Sequence, residues 1–157
     1  MLNVTLVLIA FTTLVVGILA GSSVDKSVVQ LPARHRIGVV AFADFSRAND
    51  LGNGLIWYPL LGIGAAVLTI VAAIVVYAQG TALGRGLPLY LSAVLALLHS
   101  FTTTRAAPNM LSLRNSGDDE ATLTATLDRF AKWHNRRAVL LTLNFATMLW
   151  ALVAYTA

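Results

Sequence analysis

The side chains in this chain that can do chemistry are few, and they are scattered. His35, His99 and His134 are its only histidines, in three different stretches. Neutral imidazole carries a basic nitrogen near physiological pH, so each is a candidate general base or metal ligand. Asp44 and Asp50 supply carboxylates, and Arg105 and Arg137 cations. Asn49, Asn53 and Asn109 add amide donors. There is no cysteine, which excludes disulfides, thiolate metal sites, iron–sulfur clusters and cysteine nucleophiles. No glycine-rich phosphate loop, nucleophile elbow or dinucleotide fingerprint occurs. A metal held by His35, His99 and His134 is chemically allowed, but no close pair such as His-x-x-x-His supports it. A haem between His99 and His134 is a second alternative, since four-helix bundles carry cofactors in their cores.

The elements that must position these groups follow from composition. An apolar fraction of 57%, a charged fraction of 11% and a mean hydropathy of +0.75 in 157 residues leave too few polar side chains to cover a soluble core. Lipid must do that, so the bilayer is the first partner. The pI near 10 is explained by loop cations at a membrane surface. No basic cluster interleaved with aromatics is present, so nucleic acid is not an expected partner.

Four apolar stretches, Leu2–Ala20, Gly54–Ala78, Leu87–Thr104 and Arg137–Tyr155, approach or exceed the ~20 residues a helix needs to cross the bilayer. The first lacks a basic leader region and reads as a retained helix rather than a secretory signal. The expected fold is all-α, an integral membrane four-helix bundle, antiparallel, with two long connections and a single domain over residues 1–157. Ten of the eleven Lys and Arg residues fall in those connections or at their helix edges, and only Arg85 falls in the short one. The positive-inside rule therefore puts the long connections in the cytoplasm and both termini outside, most simply in the plasma membrane. All seven acidic residues share the cytoplasmic side.

That topology makes neighbours of distant residues, because all three histidines then lie toward one end. Leu123, Leu127, Phe130, His134, Arg137, Leu141 and Met148 recur at steps of three, four or seven, so a long last helix turns them to one face, which Asn144 extends. Ser92, His99 and Thr103 share a face of the third helix. Polar groups at such depth face the bundle interior and are functional candidates. Plainer roles stand beside these: His99 as interhelical hydrogen-bonding glue, Arg136 and Arg137 as snorkelling anchors, and Trp57, Tyr58 and Trp133 as an aromatic belt. Gly17 with Gly21, and Gly62 with Gly64, read as close-packing positions that also leave a homo-oligomer open. Pro108-Asn109 reads as a chain breaker, and Ser116 as the cap of the last helix.

Several local runs resemble a known family. Val24-Asp25-Lys26, Leu31-Pro32-Ala33, Phe45-Ser46-Arg47, Asp50-Leu51-Gly52-Asn53-Gly54 and Tyr58-Pro59 look like the first half of the anthrone oxygenase-like family of small four-helix membrane proteins, most of them uncharacterised bacterial members. Trp133-His134-Asn135-Arg136-Arg137 resembles its Trp-His-x-x-Arg element, and Pro108-Asn109 with Leu111 its Pro/Asn/Leu signature at a tighter spacing. The resemblance implies an oxidase or oxygenase for lipophilic phenolic or polycyclic substrates. Anthrone carbanions react with dioxygen unaided, so no cofactor is required. On that reading His134 is the general base, oriented by Asp50, and Arg137 with Asn109 or Asn53 stabilises the enolate oxygen. Trp133 stacks on the substrate, with Tyr58 and His99 completing its binding site. The competing expectations are a non-enzymatic bundle that binds a lipophilic molecule or a partner subunit, and a haem or metal redox protein.

Overall fold

The computed structural model describes residues 3–156, all helix and turn. The expected start of the first span at Leu2 lies outside the described residues. Asn3 caps α1 (Val4–Asp25), its Oδ1 accepting from the backbone N–H of Thr5 at 3.1 Å and Leu6 at 3.3 Å. A π-helical turn, Lys26–Gln30, carries α1 into α2 (Leu31–Ile37). Gly38, with φ of +88°, ends this first rod in a conformation that side-chain-bearing residues rarely adopt. The second rod is α3 (Val39–Ala48), another π turn, Asn49–Asn53, and α4 (Gly54–Ala78). Then come α5 (Leu83–Ser112) and α6 (Glu120–Thr156).

The four rods of 34, 40, 30 and 37 residues are each long and apolar enough to cross a membrane. At 1.5 Å per residue they also outrun a ~30 Å hydrocarbon layer. The surplus gathers at one end, called here the polar end. In the bundle α1 packs on α4, α4 on α5, α5 on α6 and α6 on α1, which closes a four-helix ring.

Two apolar clusters fill the ring. One, including Ile9, Val16, Leu19, Leu61, Leu89, Leu141 and Met148, occupies the more apolar part of the bundle. The other, with Leu31, Phe42, Met110, Leu113, Leu127 and Phe130, occupies the polar end. On the outer face of the bundle, Ile56, Ile63, Val94, Leu97 and Val153 are more than half exposed.

Several connections differ from their expected form. The first long connection is almost wholly helical, because α2 and α3 bury Leu31, Phe42 and Ala43 against α5 and α6. Pro108-Asn109 does not break α5, which runs on to Ser112. Pro108 and Thr104, whose carbonyl loses a partner, are both exposed, while Ala106 and Met110 on the other face are pulled into the second core. Ser116 does not cap α6, since its hydroxyl bonds back to the Ser112 carbonyl at 2.9 Å. Asp119 does so, accepting from the Thr122 N–H at 2.9 Å, which holds its carboxyl below the usual carboxylate range. Of the glycine pairs, Gly17 is pressed against α6, where an added Cβ would lie 2.8 Å from the Phe145 ring. Gly21 and Gly64 face open space.

Arg47 ties the polar end together. It donates to the carbonyls of Leu113 at 3.1 Å and Ser116 at 2.6 Å, and pairs with Asp44 and Asp118. Arg34 reaches Asp128 of α6 at 2.6 Å. At the far end, Gln79 donates to Thr5 at 2.8 Å and Arg85 to the Ala154 carbonyl at 2.9 Å.

Candidate functional site: a cavity between the two cores

The cavity at the junction of the two clusters measures about 460 Å³ and draws on α1, α4, α5, α6 and both π turns. That volume falls in the range of small-molecule sites. Most of its wall is apolar: Leu51, Pro59, Ile63, Ala106, Met110 and Phe130. Into it project His99, His134, Arg137, Tyr58 and the Lys26–Asp50 pair.

The two π turns explain how charged residues arrive there. A π turn inserts an extra residue into the helical ladder and shifts the phase of the chain, so it re-aims side chains. Lys26 opens the first such turn and Asp50 lies in the second; both are buried, and they form an ion pair with one another. Gly52, at φ −87° and ψ −117°, provides the kink in the second turn. Gly54 lets that turn close over Tyr58. A Cβ there would lie 2.9 Å from the Asn49 carbonyl and 2.8 Å from the Tyr58 ring. Gly54→Ala is therefore expected to lower stability by about 1–3 kcal/mol, the usual cost of overpacking. Thermal unfolding in detergent checks it, with Gly64→Ala, which meets nothing within 4 Å, as the silent comparison.

His134 is 5% exposed and rests against Phe130, their ring centroids 5.1 Å apart. Its Nε2 lies 3.2 Å from the carbonyl oxygen of Ser23, where α1 approaches the first π turn. A carbonyl only accepts, so Nε2 carries the proton and donates, and Nδ1 holds the lone pair. Nδ1 has no hydrogen-bond partner among the described residues. His99 is 1% exposed, and neither of its ring nitrogens has a partner among the described residues. The glue role expected of it is therefore not what the structure shows. Arg137 Nε is likewise enclosed and unpartnered. Arg137 Nη2 lies beside Gly62, 3.8 Å from where a Cβ would stand, so the guanidinium spans the gap toward α4. Among the described residues Arg137 makes no ion pair. The hydroxyls of Ser100 and Thr103 are spent on their own helix, on the carbonyls of Ala96 at 2.8 Å and His99 at 2.9 Å.

Buried polar groups without partners are rare in folded proteins. Here four side chains, Asp50, His99, His134 and Arg137, carry them around one cavity. The polar atoms that remain for a ligand are the imidazoles of His99 and His134, the Arg137 guanidinium and Asp50 Oδ1.

The structure thus brings together His99, His134, Arg137, Tyr58 and Asp50 of the expected set. It leaves four residues elsewhere. His35 is exposed on α2, and no group of three His, Cys, Asp or Glu residues among the described residues is placed to hold a metal. Asn109 bonds back to the Arg105 carbonyl at 2.8 Å on the far side of α5 from the cavity wall. Asn53 is exposed at the end of its π turn. Trp133 packs on the second core and carries the Arg136 guanidinium 4.8 Å above its ring, one position out of phase with the cavity. The expected Asp50–His134 contact is also replaced. Asp50 holds Lys26, and Ser23 holds His134.

Lys26 and Ser23 are not singled out as site residues by type or spacing, and Gly62 reads only as a close-packing position. Lys26 had a signal, a lone cation beside an apolar span, but it was absorbed by the count of loop charges. The Ser23 carbonyl had none, since backbone groups are freed by local geometry that composition does not record.

The cavity has a mouth. Its exposed wall residues are Leu55, Pro59 and Ile63 on α4 and Thr104 and Leu111 on α5, so it opens sideways between these two helices. Four of the five are apolar, and α4 and α5 are both membrane-crossing by length and composition. No protein-family model, curated protein or solved structure matches this chain.

Proposed function

We propose that the protein is a membrane-embedded oxidase or oxygenase for lipophilic phenolic or polycyclic substrates of the anthrone type, with His134 as general base. The observation that carries this reading is the set of unpartnered groups around one apolar cavity: His134 Nδ1, both nitrogens of His99, and Arg137. The use of dioxygen comes from the family resemblance of the Asp50–Gly54 and Trp133–Arg137 runs. The polar end lies in the cytoplasm, both termini lie outside, and the plasma membrane is the host bilayer, following the placement of the cations.

A substrate enters from the bilayer between α4 and α5 and lies against Phe130, Met110 and Pro59. His134 Nδ1 takes a proton from the carbon opposite the substrate carbonyl, while the Ser23 carbonyl steadies the imidazolium through Nε2–H. Negative charge moves to the carbonyl oxygen, where Arg137 balances it in a site that excludes water. The carbanion then transfers electrons to dioxygen and gains a C–O bond, and the peroxide anion takes the proton back from the His134 imidazolium. The resulting hydroperoxide loses water to leave a second carbonyl, so that a CH₂ group and O₂ become C=O and H₂O.

The test is oxygen uptake by the protein in lipid nanodiscs, supplied with anthrone. One dioxygen consumed per anthraquinone formed, above the rate of empty nanodiscs, supports the reading. Uptake no faster than empty nanodiscs across a panel of polycyclic phenols leaves the passive binding bundle. The haem or metal reading is separated on the same sample. A visible absorption band or stoichiometric metal, lost on replacing His99 and His134 together, would displace the cofactor-free mechanism.

A further inference from the structure

The charge inside the cavity does not balance. Lys26 and Asp50 cancel each other. Among the described residues His99 and His134 have no carboxylate partner, and Tyr58 is the one other titratable group in the wall. What remains is Arg137, a group that stays protonated in proteins. Among the described residues the partly buried Arg34 and Arg47 are compensated, Arg34 by Asp128 and Arg47 by Asp44 and Asp118. An uncompensated cation in a largely apolar enclosure is costly unless something brings the opposite charge.

We propose that the ligand supplies it: the cavity takes a lipophilic aromatic acid as its anion, with a carboxylate or ionised phenol oxygen against Arg137. This rests on the reading of the cavity as the substrate site, and specifies the charge state in which that site is filled. The wall geometry agrees. Arg137 sits where α6 passes from its polar half into its apolar half, the depth at which an amphiphilic acid keeps its charged group. The mouth beside Leu55, Pro59 and Ile63 receives an apolar body from the lipid. The one carboxylate in the wall, Asp50, is paired through Oδ2 with Lys26, which offsets its charge although its Oδ1 is unpartnered.

The experiment is equilibrium binding without oxygen, in phosphatidylcholine nanodiscs with empty nanodiscs as the partition control. The probes are 1-hydroxy-2-naphthoate and its methyl ester. The acid is expected to bind at least tenfold more tightly than the ester. Arg137→Gln should weaken the acid by tenfold or more and leave the ester within about twofold, and Arg137→Lys should keep part of the preference. Ester binding reports that the Gln variant still has its cavity. If that variant does not fold, the wild-type comparison of acid and ester decides alone. Equal binding of acid and ester, binding of neither, or equal weakening of both by Arg137→Gln overturns the proposal. Tight acid binding without turnover of anthrone would remove the oxygenase reading and keep this one. Turnover of anthrone without acid preference would do the reverse.

Discussion

His134→Ala should lower the rate of anthrone oxidation by a factor of 10² to 10⁴, the usual contribution of a positioned general base. The loss should fall on kcat, because the imidazole acts on the proton in flight rather than on the resting substrate. His134→Gln is the sharper variant. It keeps a side chain near the Ser23 carbonyl, 3.2 Å from Nε2 in the wild type, but offers no basic nitrogen. It should therefore retain substrate binding while losing turnover to the same degree. Full activity in either variant would remove His134 as the base. His99 would then be the next assignment, because both of its nitrogens are also free in the cavity.

The second large effect concerns stability. Lys26 and Asp50 are each buried, and each is the other's only ion-pair partner among the described residues. Removing one leaves a charge enclosed and unanswered. Lys26→Met and Asp50→Leu are each expected to cost about 3–5 kcal/mol. The double replacement should recover most of that loss, since an apolar pair of similar volume suits the same space. Denaturant or thermal unfolding of the three variants in one detergent gives the coupling. Single losses that simply add in the double variant would mean that the pair does not work as a unit. The pair also joins the two π turns, so the single variants should loosen the wall of the cavity.

The parts of the fold legible in the sequence were those written in long-range periodicity. The apolar face of α6, from Leu123 through Phe130, His134 and Leu141 to Met148, is buried as its spacing predicts. Ser92 and His99 of α5 are buried together for the same reason. Less legible were features set by a local contest. Pro108 reads as a breaker, yet the burial of Ala106 and Met110 outweighs one lost hydrogen bond on an exposed face. The π turns at Lys26 and Asn49 leave no compositional mark, so the pairing of Lys26 with Asp50 could not be foreseen. For the same reason Asp50 was expected beside His134. Trp133 and Asn109 show the limit of reasoning from neighbours along the chain. One step on a helix turns a side chain by about 100°, which puts Trp133 just outside the face that lines the cavity and Asn109 on the far side of its helix.

The most direct test of the central claim, that His134 removes a carbon-bound proton in this cavity, is hydrogen–deuterium exchange at the acidic carbon of anthrone in the absence of oxygen. Without dioxygen the carbanion has no onward path and returns a solvent deuteron. Wild-type protein in nanodiscs should accelerate that exchange well above empty nanodiscs, and His134→Gln should not. Exchange at the background rate in the wild type, or equal acceleration by the Gln variant, would contradict the account.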